Sequence, residues 1–407
     1  MSITFKMIKL KIPAIQHYLL LLFAFSLPYG PVINNIITGL IVLLWLLEGD
    51  FKRKYHQVKK NPIVIWGTLY VLVNLIALLW SSDIHWGVHM FGKSAKFLLI
   101  PLFMTIIEKK YIKQYIFAFV LAMTISEIIS YLMWFHLIPL TKMALKEGFP
   151  TPFVEHLSYT PFLALAIYFL LYEILFDPKI NAIQRLISLF FVFTMSFNLF
   201  IGGGRAGQVG FFVILTIITL QYFHKNMIKG IAIMVIAIPA IFTVLYTTVP
   251  DFKARVNQGV EDVRHLEDNI NTSIGLRINF AFNTIQMIKE HPLLGVGTGD
   301  FPTEYARINH LRTPEASETK QPHNMYLTVL AQVGLLGFIP FIMVFYWQIR
   351  MALQKTSPYY RMQLMLPLFF LVIMLSDSYL LTHYTMHLFI LLSAVLFKNY
   401  DDQGETI

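Results

Sequence analysis

The chain has 407 residues, of which 56% are hydrophobic and 14% charged, with a formal net charge of +9 and no cysteine. Its mean hydropathy is +0.61, whereas soluble domains carry about 25% charged residues, so a water-soluble globular class is excluded and the chain is read against a bilayer. The lack of cysteine excludes disulfides, thiolate metal sites and a cysteine nucleophile.

A helix needs roughly 20 apolar residues to cross a membrane. Apolar segments occur at residues 15–28, 32–47, 63–80, 97–107, 112–135 and 159–176. Six more follow at 186–201, 209–223, 231–247, 325–347, 364–375 and 380–397. The runs are continuous rather than alternating, which sets a β-barrel aside. The expected fold is all-α, a polytopic membrane protein of about twelve transmembrane helices forming a single integral membrane domain over residues 1–407. Pro28, Gly30 and Asp377 interrupt the first, second and eleventh segments. No small-residue cleavage site follows residues 19–25, so the first segment is expected to be retained.

Lysine and arginine in short loops are kept on the cytoplasmic side. With the N-terminus inside, the cytoplasmic segments hold Lys6, Lys9 and Lys11; Lys52, Arg53, Lys54, Lys59 and Lys60; Lys109, Lys110 and Lys113; Lys179 and Arg185; Lys225 and Lys229; Arg350, Lys355 and Arg361; and Lys398. Short outer loops hold Lys142, Lys146 and Arg205, with Lys93 and Lys96 if these are counted there. Both termini are then cytoplasmic, and the net positive charge reflects loop topology rather than nucleic acid. Any chemistry is expected on the opposite face.

Between the ninth and tenth helices the chain leaves the bilayer on the outer side for residues 248–322, and loops of this length are functional or disordered. Ile274, Ile278, Ala281, Ile285 and Ile288 recur at helical spacing, which predicts an ordered amphipathic helix whose apolar stripe lies on the membrane domain or in the interface. A smaller outer loop spans 136–158. No internal repeat is evident.

Three places carry candidate chemistry. Arg205 lies in Gly202-Gly203-Gly204-Arg205-Ala206-Gly207, where a charge at membrane depth is a functional hypothesis and a snorkelling arginine on a tight turn is the structural alternative. Arg277 lies on the amphipathic helix, followed by Gly295-Val296-Gly297-Thr298-Gly299-Asp300. These glycines either expose successive amide groups to an anion or make a plain turn; the lysine of a P-loop is absent. His323 and Asn324 follow Pro322 at the start of the tenth helix. Proline suits a first helical turn, so His323 is expected on that helix at the outer boundary, as a proton acceptor or as a capping residue. His383 and His387 are one turn apart in the last helix with no carboxylate at metal-ligand spacing, which favours packing. No Asp-x-Asp metal motif occurs.

The stretch Leu276-Arg277 through His291-Pro292-Leu293-Leu294-Gly295-Val296-Gly297-Thr298-Gly299-Asp300-Phe301, then His323-Asn324-Met325-Tyr326-Leu327 to Gly334-Leu335-Leu336-Gly337, resembles the shared core of O-antigen ligases and O-antigen polymerases, which also have about twelve helices and a large outer loop before the third-last helix. The resemblance implies transfer of an undecaprenyl diphosphate-linked glycan in lipopolysaccharide biosynthesis, on the periplasmic face of a Gram-negative inner membrane. In a ligase the acceptor is a sugar of lipid A-core, and in a polymerase another lipid-linked repeat. In related oligosaccharyltransferases it is a protein hydroxyl, and the length and the lack of a soluble extension after Lys398 resemble ligases more than those protein transferases, whereas ligases and polymerases share the arginine and histidine positions.

On this reading His323 and Arg277 are catalytic, Arg205 and Arg277 bind one diphosphate on which they converge, and Asn324, Gly299, Lys93 and Lys96 support them. Neither metal nor cofactor is expected, since arginine offers a permanent charge and a bidentate fork for phosphate. The acceptor hydroxyl, deprotonated by His323, attacks the anomeric carbon directly and inverts it. A solute transporter, such as a bicarbonate carrier, is the competing class. It needs polar groups near the midplane, where this chain offers few, Asn74, Glu127, Glu173 and Asn198 among them.

Overall fold

The computed structural model describes residues 3–265 and 269–400. The expectation that both termini are cytoplasmic concerns, in part, residues 1–2 and 401–407, which lie outside the described residues, as do residues 266–268 of the large loop. In chain order the helices are α1 (Ile3–Ser26), α2 (Pro31–Glu48), α3 (Phe51–Val58), α4 (Pro62–Ile76), α5 (Ile84–Ser94) and α6 (Leu99–Ile106). Next come α7 (Ile112–Trp134), α8 (Lys142–Glu147), α9 (His156–Phe176), α10 (Ala182–Ile201), α11 (Arg205–Tyr222) and α12 (Met227–Thr248). The last six are α13 (Pro250–Arg264), α14 (Ser273–Glu290), α15 (Phe301–Arg312), α16 (Met325–Gln354), α17 (Tyr360–Ile373) and α18 (His383–Phe397).

No strand occurs among the described residues. Among the described residues eight helical segments, α2, α4 with the turn after it, α7, α9, α10, α11, α12 and α16, are long and apolar enough to cross a membrane by length and composition. The chain is an all-α polytopic membrane protein. The apolar runs near residue 100 and after residue 360 lie on shorter helices, α6, α17 and α18.

Two compact units make up the chain, one from Met1–Gly49 and Ile106–Val256, the other from Asp50–Thr105 and Asn257–Ile407. In the first, α9 is buried on every side from Ser158 to Leu170, as a helix apolar all round must be, and packs against α7, α10 and α11. A Cβ at Gly207 would fall 2.3 Å from Thr160 Cβ, and one at Gly204 would fall 2.0 Å from Thr160 Oγ1. Small residues thus let the backbones of α9 and α11 meet. Arg205 opens α11 at this contact, after Gly203 has turned the chain at φ 71°.

In the second unit α16 packs against α4, α14 and α17. Its helical ladder breaks at Gly334, which adopts φ 57° and ψ −161°. The interrupted bonds are taken up by residues 292–297: the amides of Val296 and Gly297 donate to Ala331 O (2.9 Å) and Gln332 O (3.0 Å), while those of Leu335 and Leu336 donate to Pro292 O (3.0 Å) and Leu293 O (3.1 Å). A kink in a membrane helix persists only when its freed backbone groups find partners, and here the loop supplies them. A Cβ at Gly334 would sit 2.3 Å from Leu293 O, and one at Gly295 2.4 Å from the Gln332 carbonyl carbon. Gly334→Ala is therefore expected to destabilise the protein by about 1–3 kcal/mol, read as a lower thermal midpoint of the purified protein in detergent. An unchanged midpoint would show that the junction is not so constrained.

The amphipathic helix expected from the sequence is α14, but its buried face differs. Gly275, Asn279, Phe280, Asn283, Thr284 and Met287 are buried, whereas Ile285 is 38% exposed. The buried amides are tolerated because they satisfy one another: Asn283 Nδ2 donates to Asn309 Oδ1 (3.1 Å) and Thr313 Oγ1 (3.0 Å), and Asn309 Nδ2 donates to Ala316 O (2.9 Å). Phe280 and Met287 pack with Val296, Phe301, Tyr305, Ile308 and Ala331, which joins α14, α15 and the start of α16. Hydrogen bonds from Gln286 and Arg307 hold Glu290 below the ordinary carboxylate range.

Candidate functional site

Asn324 is the N-cap of α16. Its Oδ1 accepts from Leu327 N (3.1 Å) and its Nδ2 donates to Leu375 O (3.1 Å). His323 is consequently not on the helix, as the proline reading expected, but one residue outside it. The cap displaces Pro322 from the first turn, and His323 takes a left-handed φ of 51°, a conformation uncommon for a non-glycine residue and enriched at functional positions.

That conformation aims the imidazole at Asp377, with Nδ1 3.3 Å from Oδ1. The carboxylate also accepts from Ser378 N (2.7 Å), so its direction is set by backbone. The histidine side chain is 30% exposed and the aspartate 6%. An acceptor on Nδ1 holds the ring in the tautomer whose Nε2 carries the lone pair, and an imidazole oriented by a carboxylate in this way can accept a proton. Asp377 appeared in the sequence only as an interruption of an apolar run. A lone carboxylate in such a run is itself a signal, and it was the one available.

Phe280 stacks on His323 with ring centroids 6.0 Å apart and planes at 26°. Arg277 is three residues earlier on α14, on the same face, and acts electrostatically on buried Tyr379, two residues beyond Asp377. No carboxylate pairs with Arg277 among the described residues. Lys93 and Lys96 lie at the end of α5 and in the turn Ala95–Leu98, with Lys96 Nζ 3.3 Å from His383 Nδ1. His323, Arg277, Asn324, Lys93 and Lys96 thus all belong to one unit. Arg205, half-buried at the start of α11, belongs to the other.

The glycine run does not present successive open amides. Val296 and Gly297 donate into α16, Gly299 N donates to Ser81 Oγ (3.1 Å), and Asp300 N donates to Gly297 O (3.4 Å). Asp300 in turn accepts from Ser82 N and Asp83 N, both at 2.9 Å on Oδ1, and a Cβ at Gly299 would fall 2.1 Å from Asp83 O. Gly299 lets the loop close on the end of α4. Among the described residues no group of three or more His, Asp or Glu side chains is arranged to hold a metal ion.

Residues 190–342 match the family model described as O-antigen ligase. The match supports the O-antigen ligase superfamily. It includes Arg205, Arg277 and His323, while Lys93, Lys96, Asp377 and His383 fall outside it. An uncharacterized protein of Haemophilus influenzae is 33% identical over 153 residues, covering 35% of this chain and 37% of that relative. The matched part therefore spans little more than a third of the relative's length.

Proposed function

We propose that the chain is an O-antigen ligase-type glycosyltransferase, moving a glycan from undecaprenyl diphosphate to a sugar hydroxyl of lipid A-core at the periplasmic face of a Gram-negative inner membrane. The observation that carries this reading is the His323–Asp377 dyad, with Arg277, which has no carboxylate partner among the described residues, on the adjoining helix, in a chain whose residues 190–342 match the O-antigen ligase family model. Nε2 of His323 takes the proton of the acceptor hydroxyl, and the acceptor oxygen bonds to the anomeric carbon. The bond from that carbon to the diphosphate breaks with its electron pair on the phosphate oxygen. Diphosphate is already a good leaving group, so charge neutralisation matters more than protonation. One guanidinium at about 4 Å and an effective dielectric of 20 contributes roughly 4 kcal/mol before desolvation. We assign this task to Arg277.

The test is purified protein with lipid A-core and an undecaprenyl diphosphate-linked glycan. A single addition to lipid A-core is expected. Growth of chains on the lipid carrier would make the protein a polymerase, and transfer to neither would overturn the reading. Because Arg277 supplies the counter-charge, turnover is expected to persist in EDTA; loss in EDTA with recovery on adding magnesium or manganese would assign that task to a metal instead.

A further inference from the structure

His323 holds a left-handed φ of 51°, which a non-glycine residue keeps only where its surroundings fix it. The direct contact with Asp377, 3.3 Å from Nδ1 to Oδ1, is long for a hydrogen bond and does not by itself fix the pair. A second path joins the two residues through their neighbours in the chain. Thr328, in the first turn of α16, places its Oγ1 2.8 Å from Asn324 O and 2.8 Å from Ser378 Oγ. A carbonyl oxygen only accepts, and a hydroxyl has one proton. Thr328 therefore donates to Asn324 O, and Ser378 Oγ donates to Thr328 Oγ1.

Asn324 follows His323 in the chain and Ser378 follows Asp377, so these bonds close a ring. It runs from His323 to Asn324, across Thr328 to Ser378, back to Asp377, and through the Nδ1 contact to the imidazole. Ser378 has a second task in this ring, because its amide donates to Asp377 Oδ1 at 2.7 Å. The carboxylate is thus held by the amide of the residue that Thr328 anchors. Thr328 is 1% exposed and Ser378 0%, and away from water such bonds hold more firmly. The start of α16 is also fastened to the chain just before Asp377, where Met325 N donates to Met374 O (3.0 Å) and Asn324 Nδ2 to Leu375 O (3.1 Å). Thr328 grips the residue just after it, so Asp377 is held from both sides.

We infer that Thr328 and Ser378 form a positioning clamp for the His323–Asp377 pair, which fixes the imidazole in the orientation and tautomer that leave Nε2 to the acceptor hydroxyl. Being buried, neither hydroxyl reaches the substrate; each acts through the pair. The catalytic consequence rests on the glycosyl-transfer reading above, whereas the clamp itself is a property of the fold.

The experiment uses the full-length protein purified in detergent and Thr328→Val, which keeps the shape of the side chain and removes the hydroxyl. The backbone bond from residue 328 to Asn324 O, 3.0 Å long, survives the change, so the loss falls on Ser378. Turnover at saturating donor and acceptor should drop by about 10- to 100-fold, the scale of a misplaced catalytic group, with the KM for the lipid donor unchanged. Thr328→Ser should restore turnover. In a His323→Ala background Thr328→Val should cost nothing more, because residues that act as a unit are not additive. Nitrogen NMR of isotope-labelled histidine, with the His323 signal assigned by its loss in His323→Gln, reads the clamp without turnover. A single tautomer protonated on Nδ1 is expected in wild type and Thr328→Ser, and a mixture of tautomers in Thr328→Val. Ser378→Ala is the second variant if Thr328→Val does not fold, with thermal midpoints recorded for all. Wild-type tautomer and turnover in a folded variant overturn the clamp, as does a loss that serine does not rescue or that adds fully to His323→Ala. Wild-type protein that transfers to no acceptor, yet shows the tautomer change on substitution, supports the clamp and overturns the transferase reading alone.

Discussion

His323→Ala is expected to lose about 10²- to 10⁴-fold in turnover at saturating donor and acceptor, the range typical of a general base, with undecaprenyl diphosphate binding nearly unchanged. The split follows from the geometry. The imidazole is oriented by Asp377 through Nδ1 at 3.3 Å, which leaves Nε2 to act on a hydroxyl proton and gives it no task on the anionic donor. On the proposed reading, donor binding depends instead on Arg277. Single-turnover kinetics together with a direct lipid-binding measurement separates the two quantities. Near-normal turnover in the alanine variant, or a defect confined to membrane insertion, would remove His323 from the role of base.

Arg277→Ala is expected to weaken donor binding by about 10- to 100-fold, as loss of a charged hydrogen-bonded partner does, and to lower turnover as well, because charge on the leaving diphosphate grows as the bond breaks. Lys at this position should restore only part of the effect, since it brings the charge without the bidentate fork. The side chain lacks a carboxylate partner among the described residues, so its removal leaves no buried carboxylate unpaired, and an unchanged thermal midpoint is expected alongside the loss of affinity. Unaltered donor affinity in Arg277→Ala would contradict its assignment.

The helices were legible because a bilayer forces long apolar runs to satisfy their own backbone; the segments at 112–135 and 159–176 correspond closely to α7 and α9. The grouping of Arg277 with His323 in one unit also follows positions flagged by residue type. Three features were hidden. The buried face of α14 is polar, since Asn279 and Asn283 find partners in α15 that no helical periodicity reveals. Gly295 and Gly334 look like ordinary loop and helix glycines, yet each is required by a backbone exchange between residues far apart in sequence. Asp377 looked like a break in an apolar run because its partner, His323, is 54 positions away. Position in space, not local pattern, gives these residues their meaning.

The central claim is direct attack by the acceptor oxygen on the anomeric carbon, assisted by His323. Its most direct test is the anomeric configuration of the new linkage, determined by NMR on product formed by the purified protein from a donor of defined anomer. A single displacement predicts the opposite configuration at that carbon. Retention of the donor configuration would require two displacements through a covalent intermediate and would contradict the account.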